Sequence, residues 1–209
     1  MTAKLTAAAN SKLVNIIQNY QQYISKTLLV MTLLAWAMSW AYASVHQTWG
    51  LALLVGGLLT AINAYLLTQA SYRVSSIGAA LVLMVFVSLH VHQLHGMIEA
   101  HFGYFIFIAI LFAYLDWRPI ITAAVTAAVL HVSIHLLPSA GLPIYLFPED
   151  HHSWTIVLVH AFYVVVEAGV LIFMVSFAAP LLTTSQNLVT TLAAINRDEE
   201  QLDLRVRIR

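Results

Sequence analysis

The sequence predicts an all-α integral membrane protein, and three observations carry that prediction. The chain of 209 residues is 61% hydrophobic and only 9% charged, its mean hydropathy is +0.83, and its apolar residues gather into runs of bilayer-crossing length. A soluble domain of this size carries about a quarter charged residues. A transmembrane barrel would instead alternate apolar and polar residues over strands of about ten positions, and no such alternation runs through the apolar segments.

Six apolar spans follow in order, at 27–45, 49–70, 74–95, 98–116, 119–137 and 154–179. Each approaches the roughly 20 helical residues that a hydrocarbon core of about 30 Å requires. Short breaks separate them: "HQTWG", "SYR", "HGM", "DWRP" and the longer "PSAGLPIYLFPEDHHS". The first apolar run ends in "AYAS", but its polar leader and long apolar stretch fit an anchored helix better than a cleaved signal. Lysine and arginine orient the bundle. With both termini inside, Lys4, Lys12, Lys26, Arg73, Arg118, Arg197, Arg205, Arg207 and Arg209 all fall on the inner side, so the expected topology is N-in and C-in.

Three segments are expected. Residues 1–26 form an amphipathic cytoplasmic leader, with Leu5, Leu13, Ile16, Ile17 and Tyr20 as a stripe on the inner surface; 27–180 form the six-helix membrane domain; 181–209 form a cytoplasmic linker helix. In that linker Leu188, Leu192, Ile195 and Leu202 follow heptad spacing, with Glu199 at the intervening seam position. A homodimeric signalling helix is the expectation, and "LDLRVRIR" alternates in period two as if entering a further module. The absence of cysteine removes disulfides and thiolate metal sites.

Under the expected topology all ten histidines lie in the outer half. His46, His151 and His152 read as wetted loop residues. Taking the helical rise of about 1.5 Å per residue, His90, His131 and His160 fall roughly 8–9 Å below the outer boundary, and His95, His101 and His135 within roughly 5 Å, which predicts two layers of imidazole. His131 and His135 share a face at i, i+4, while His160, Tyr163 and Glu167 form one stripe. His95 and Glu99 share a face if helix continues through Gly96.

Ionisable groups inside a membrane are costly and read as functional, paired and inward-facing. Neutral imidazole is also the commonest metal ligand. The candidate ligands are therefore His90, His95, Glu99, His101, His131, His135, His160 and Glu167, with Tyr163 and His92 in support. A copper, zinc or iron ion is one expectation; haem b held by two histidines is the other. The carboxylates favour an ion. In "YLDWRP", Asp116 suits a helix cap, Pro119 a first turn, and Trp117 and Arg118 the inner interface; a pairing of Asp116 with Arg118 between helices is the alternative.

The segments "HGMIEAHFGYF", "YLDWRP", "HVSIH", "GLPIYLF" and "VHAFYVVVE" together resemble the multi-helix membrane input region of some bacterial methyl-accepting chemotaxis proteins and diguanylate cyclases. The resemblance covers roughly 27–180. It implies an inner-membrane sensor joined to a cytoplasmic output domain, with His95, Glu99, His101, Asp116, Trp117, Arg118, His131, His160, Tyr163 and Glu167 at its polar motif positions. It implies reception rather than catalysis, with lipids and a second copy as partners and no nucleic acid. Intramembrane oxidoreduction and ion transport are the competing classes. Below Glu167, helix 6 offers only Ser176 before its inner end, which argues against a polar path through the bilayer.

Overall fold

The computed structural model describes residues 2–136, 144–145 and 154–207; side chains 1–14, His135 and many beyond Leu181 lie outside the described set. All regular structure among these residues is helical. Helix α1 covers Thr2–His46, α2 Trp49–Gln69, α3 Tyr72–Gln93, α4 Ile98–Tyr114, α5 Trp117–Leu136 and α6 Trp154–Arg207. Five of these are long and apolar enough to cross a membrane, whereas α4 is a shorter apolar helix. Six spans are expected, and five described helices have the full length. Helix α4 starts where the expected span does but ends at Tyr114, and both ends tighten into 3₁₀ turns at Ile98–His101 and Phe112–Tyr114.

Two compact units divide the chain: Ile24–Val175, and Met1–Tyr23 with Ser176–Arg209. In the second unit the described backbone is helical, belonging to the ends of α1 and α6. The expected leader at 1–26 is helical from Thr2, as part of α1.

Within the first unit α3 lies centrally, packed against α2, α4 and α5. Its composition explains that position. Ser75, Ser76, Ala79 and Ala80 in its N-terminal half keep the helix thin, and Ser75 and Ser76 return their hydroxyls to the carbonyls of Tyr72 and Arg73. Leu83, Met84, Phe86 and Val87 then fill the C-terminal half and are completely buried. At Gly78 a Cβ would stand 2.5 Å from Leu66 Cδ1, so α2 approaches here only because the side chain is missing.

Helix α1 buries Leu28, Thr32, Ala35, Ser39 and Ala43, a stripe of mostly small residues that lets polar groups reach across. Asn63 of α2 donates to Thr32 Oγ1 at 2.6 Å, and Thr32 donates in turn to the Leu28 carbonyl. Gln93 of α3 accepts from Ser39 Oγ at 2.6 Å and donates to Ser39 O and Thr48 Oγ1. The Trp36 indole donates to the carbonyl of Ala52, the first residue of a π-helical segment at Ala52–Gly56. That ring lies where a Cβ on Gly56 would be, 2.8 Å from Trp36 Cδ1.

The α3–α4 turn decides where His95 goes. Gly96 N–H reaches back to Val91 O and His95 N–H to His92 O, with His95 at φ 51° and Gly96 at φ 81°. This is a Schellman cap with a histidine rather than a glycine in the left-handed position, a conformation that costs about 1–2 kcal/mol for an L residue. Stacking of the His95 ring offsets that strain: it lies 3.7 Å from the His46 ring and 4.3 Å from the Tyr145 ring.

A three-imidazole centre on α4, α5 and α6

Three helices each contribute one histidine to a common cluster. His101 enters from the 3₁₀ turn that opens α4, His131 from the last turns of α5 and His160 from the second turn of α6. Ring centroids are separated by 5.6 Å for His101–His131, 5.4 Å for His101–His160 and 6.1 Å for His131–His160. His101 and His131 are buried and His160 is half-buried.

The local backbone sets the chemistry of all three rings. His101 Nδ1 lies 3.1 Å from Met97 O, His131 Nδ1 2.8 Å from Ala127 O and His160 Nδ1 2.8 Å from Ile156 O. A carbonyl can only accept, so each Nδ1 carries the proton and each neutral ring keeps its lone pair on Nε2. One carbonyl four residues back thus sets the tautomer, as the outer partners of metal-ligating histidines do. Tyr104 completes the cluster. Its ring lies 4.8 Å from that of His131 and its hydroxyl 2.6 Å from Ser88 Oγ on α3, an anchor that the histidine pattern alone did not reveal. The signal was present in its i+3 spacing from His101 on α4.

Among the described residues the remaining candidates lie elsewhere, and His101 and His95 do not share a shallower layer. His101 joins His131 and His160 instead of a shallower ring. His90 points to α1, with Nε2 2.9 Å from Ala35 O and its ring edge-on to Tyr42. His92 accepts from the Tyr145 N–H, and His95 stacks with His46 and Tyr145. Glu99 is exposed, and the left-handed turn at His95 and Gly96 keeps it from sharing a helical face with His95. Tyr163 is 58% exposed and lines an outer groove with Phe102, Phe105 and Ile106. Glu167 lies seven residues beyond His160, about 10 Å along α6. Its Oε2 is buried without a hydrogen-bond partner. The side chain of His135 and the loop residues His151 and His152 lie outside the described residues.

At the opposite end of α5, Asp116 Oδ1 accepts the Arg118 N–H at 2.9 Å and Oδ2 pairs with the Arg118 guanidinium at 3.1 Å. The guanidinium also lies over the Trp117 ring. The cap is worth about 1 kcal/mol and the part-exposed ion pair adds little. The pairing is local to the start of α5 and does not bridge two helices.

Two cofactor geometries can be tested on the triangle of rings. An ion held by three imidazole nitrogens at about 2.0–2.1 Å places ring centroids roughly 5–5.5 Å apart, close to the observed spacings. Among the described residues no set of three His, Asp or Glu groups is already gathered at ligand distance, so the rings would have to turn inward. Haem b fits less well. With His131 and His160 as axial ligands, the His101 ring would stand about 4.6 Å from the iron position, inside the area the porphyrin occupies.

No family model matches the chain, and the searches of curated proteins and of solved structures also gave no match.

Proposed function

We propose that the chain is the membrane input module of a bacterial signal-transduction receptor, in which a transition-metal ion is held by His101, His131 and His160 and its occupancy is relayed through α6. The observation that carries this reading is the triangle of rings at 5.4–6.1 Å, contributed by three different helices and each set by its own backbone carbonyl with Nε2 as the basic nitrogen. Copper, zinc and iron all accept such ligands. Drawing three nitrogens onto one ion moves α4, α5 and α6 relative to one another, and an ion that binds one packing better shifts the population toward it. The role is binding and relay, not turnover.

Several features support the membrane setting and the relay. Ten residues of α-helix and seven of 3₁₀-helix give α4 a length of about 29 Å, so we include it as a sixth span. The segregation of basic residues supports N-in and C-in insertion in the cytoplasmic membrane. Helix α6 runs on as one helix to Arg207, and Leu188, Leu192 and Ile195 are exposed along the extension, as a homodimeric coiled coil would need. In this reading a cytoplasmic output domain follows it. Glu167, with a buried carboxylate oxygen below the centre, is the group on α6 that would feel a change of charge at the three imidazoles.

The test is metal content and affinity of the full chain purified in lipid nanodiscs. One ion per chain is expected, lost in His131→Ala with His160→Ala and retained in His90→Ala. Wild-type protein that binds no zinc, copper or iron, or a double variant that binds as the wild type does, would overturn the centre.

A further inference from the structure

Helix α6 is one continuous helix from Trp154 to Arg207, and its Trp154–Leu181 part has the length and hydropathy of a membrane span. Beyond that span Leu188, Leu192 and Ile195 are exposed, and at about 100° per residue they lie within roughly 60° of one another. In aqueous surroundings such an apolar stripe is unfavourable until another apolar surface covers it. Followed back into the span, the same face meets Leu181, Met174, Val170 and Val166, all exposed. The seven positions together fall within about 80°. Val170, Leu181 and Leu192 are spaced by eleven residues, and so are Val166, Phe177 and Leu188. An eleven-residue repeat has about 3.67 residues per turn, close to the natural helix, so its seam stays on one face of a nearly straight helix pair, whereas a seven-residue repeat drifts by about 20° per heptad.

The face of α6 that is buried lies elsewhere. Val157, Val164, Ala168 and Val175 are buried, and their common direction is about 130° from the stripe, so a partner seated on the stripe leaves that packing untouched. Charge says what the partner is. From Ala168 to Asn196 the helix carries no Asp, Glu, Lys, Arg or His. Charges beside a seam set the choice of partner in paired helices, and here there are none for a foreign helix to match. Two parallel copies of one helix bring each residue close to its own counterpart, so like charges would face each other, and this segment has none to repel. We propose that a second copy of the chain packs in parallel along this face, so that the dimer seam begins inside the membrane at Val166 and continues to Ile195, a length of about 44 Å. The proposal rests on the homodimeric part of the reading above and not on the ion. A movement of α6 is then felt by the second copy's α6 within the bilayer, before the helix reaches the cytoplasm.

The chain contains no cysteine, so single cysteines report without background. The experiment oxidises membranes holding the full chain with iodine, for Val166→Cys, Val170→Cys, Leu181→Cys and Leu188→Cys, and for the controls Val165→Cys and Leu158→Cys. Val165 and Leu158 are 68% and 66% exposed, more than Val170 at 53%, so exposure alone would favour the controls. Both point more than about 120° away from the stripe. A disulfide-linked band at twice the mass of the chain is expected from the four stripe variants and its loss from the two controls. Met174→Cys replaces Val170→Cys if that variant folds poorly. A dimer band at Leu188→Cys with none at Val166→Cys, Val170→Cys and Leu181→Cys would confine pairing to the extension and overturn the intramembrane seam. Equal bands from Val165→Cys and Val170→Cys would overturn the choice of face. The stripe pattern in a chain that binds no metal would remove the ion and leave the seam standing; bound metal with no dimer band from any variant would overturn the seam and leave the imidazole centre.

Discussion

Replacing Gln93 by leucine tests the polar seam that holds α1, the start of α2 and α3 together. Gln93 is fully buried and makes three hydrogen bonds, from Ser39 Oγ at 2.6 Å, to Ser39 O at 3.0 Å and to Thr48 Oγ1 at 3.1 Å. Interhelical bonds between membrane helices average about 0.6 kcal/mol each, so their loss sums to about 2 kcal/mol. Leucine nearly conserves the volume, which keeps any cavity contribution small. The stranded Ser39 hydroxyl can turn back to the carbonyl four residues earlier, as Thr32 does with Leu28, so little is added by unsatisfied groups. The assay is reversible unfolding in mixed micelles, followed by helicity. A double-mutant cycle with Ser39→Ala, expected to cost about 0.6 kcal/mol alone, should show strong non-additivity, because both substitutions remove the same bond. Gln93→Leu as stable as wild type, or strictly additive with Ser39→Ala, would refute the seam.

Other outcomes follow from single contacts. Gly56→Ala should displace the Trp36 ring and break its bond to Ala52, lowering stability by about 1–2 kcal/mol and shifting tryptophan emission; unchanged emission would show that α1 and α2 do not meet through this pair. Tyr104→Phe keeps its ring against His131 but loses the 2.6 Å bond to Ser88, and should cost about 1 kcal/mol in an unfolding titration while leaving metal affinity within a few-fold. A cysteine at Ser44 should react with an impermeant thiol reagent applied to intact cells, and one at Ser71 should not; the reverse pattern would invert the bundle and place the imidazole centre on the inner side. Glu167→Gln should leave folding and the metal stoichiometry of the chain intact but alter the response of an attached output domain. If that response is unchanged across metal concentrations, Glu167 has no part in the relay.

Helical class and the rough positions of the helices were legible in the one-dimensional pattern, because an apolar run of bilayer-crossing length can satisfy its backbone polar groups only within its own helix. Capping at Asp116 was legible for the same local reason. The histidine spacing identified His101, His131 and His160 as candidates together with residues that went elsewhere, and nothing along the chain separated them. That separation is tertiary. A left-handed turn at His95 carries its ring onto Tyr145 and His46, and the stripe of small residues on α1 brings Ala35 within reach of His90. Depth along an isolated helix, the only coordinate the sequence supplies, says how far a ring lies from the surface but not which neighbour it faces. The choice among equally deep imidazoles was made by the rotation of each helix and by which neighbours it packs against, quantities that exist only once the helices pack.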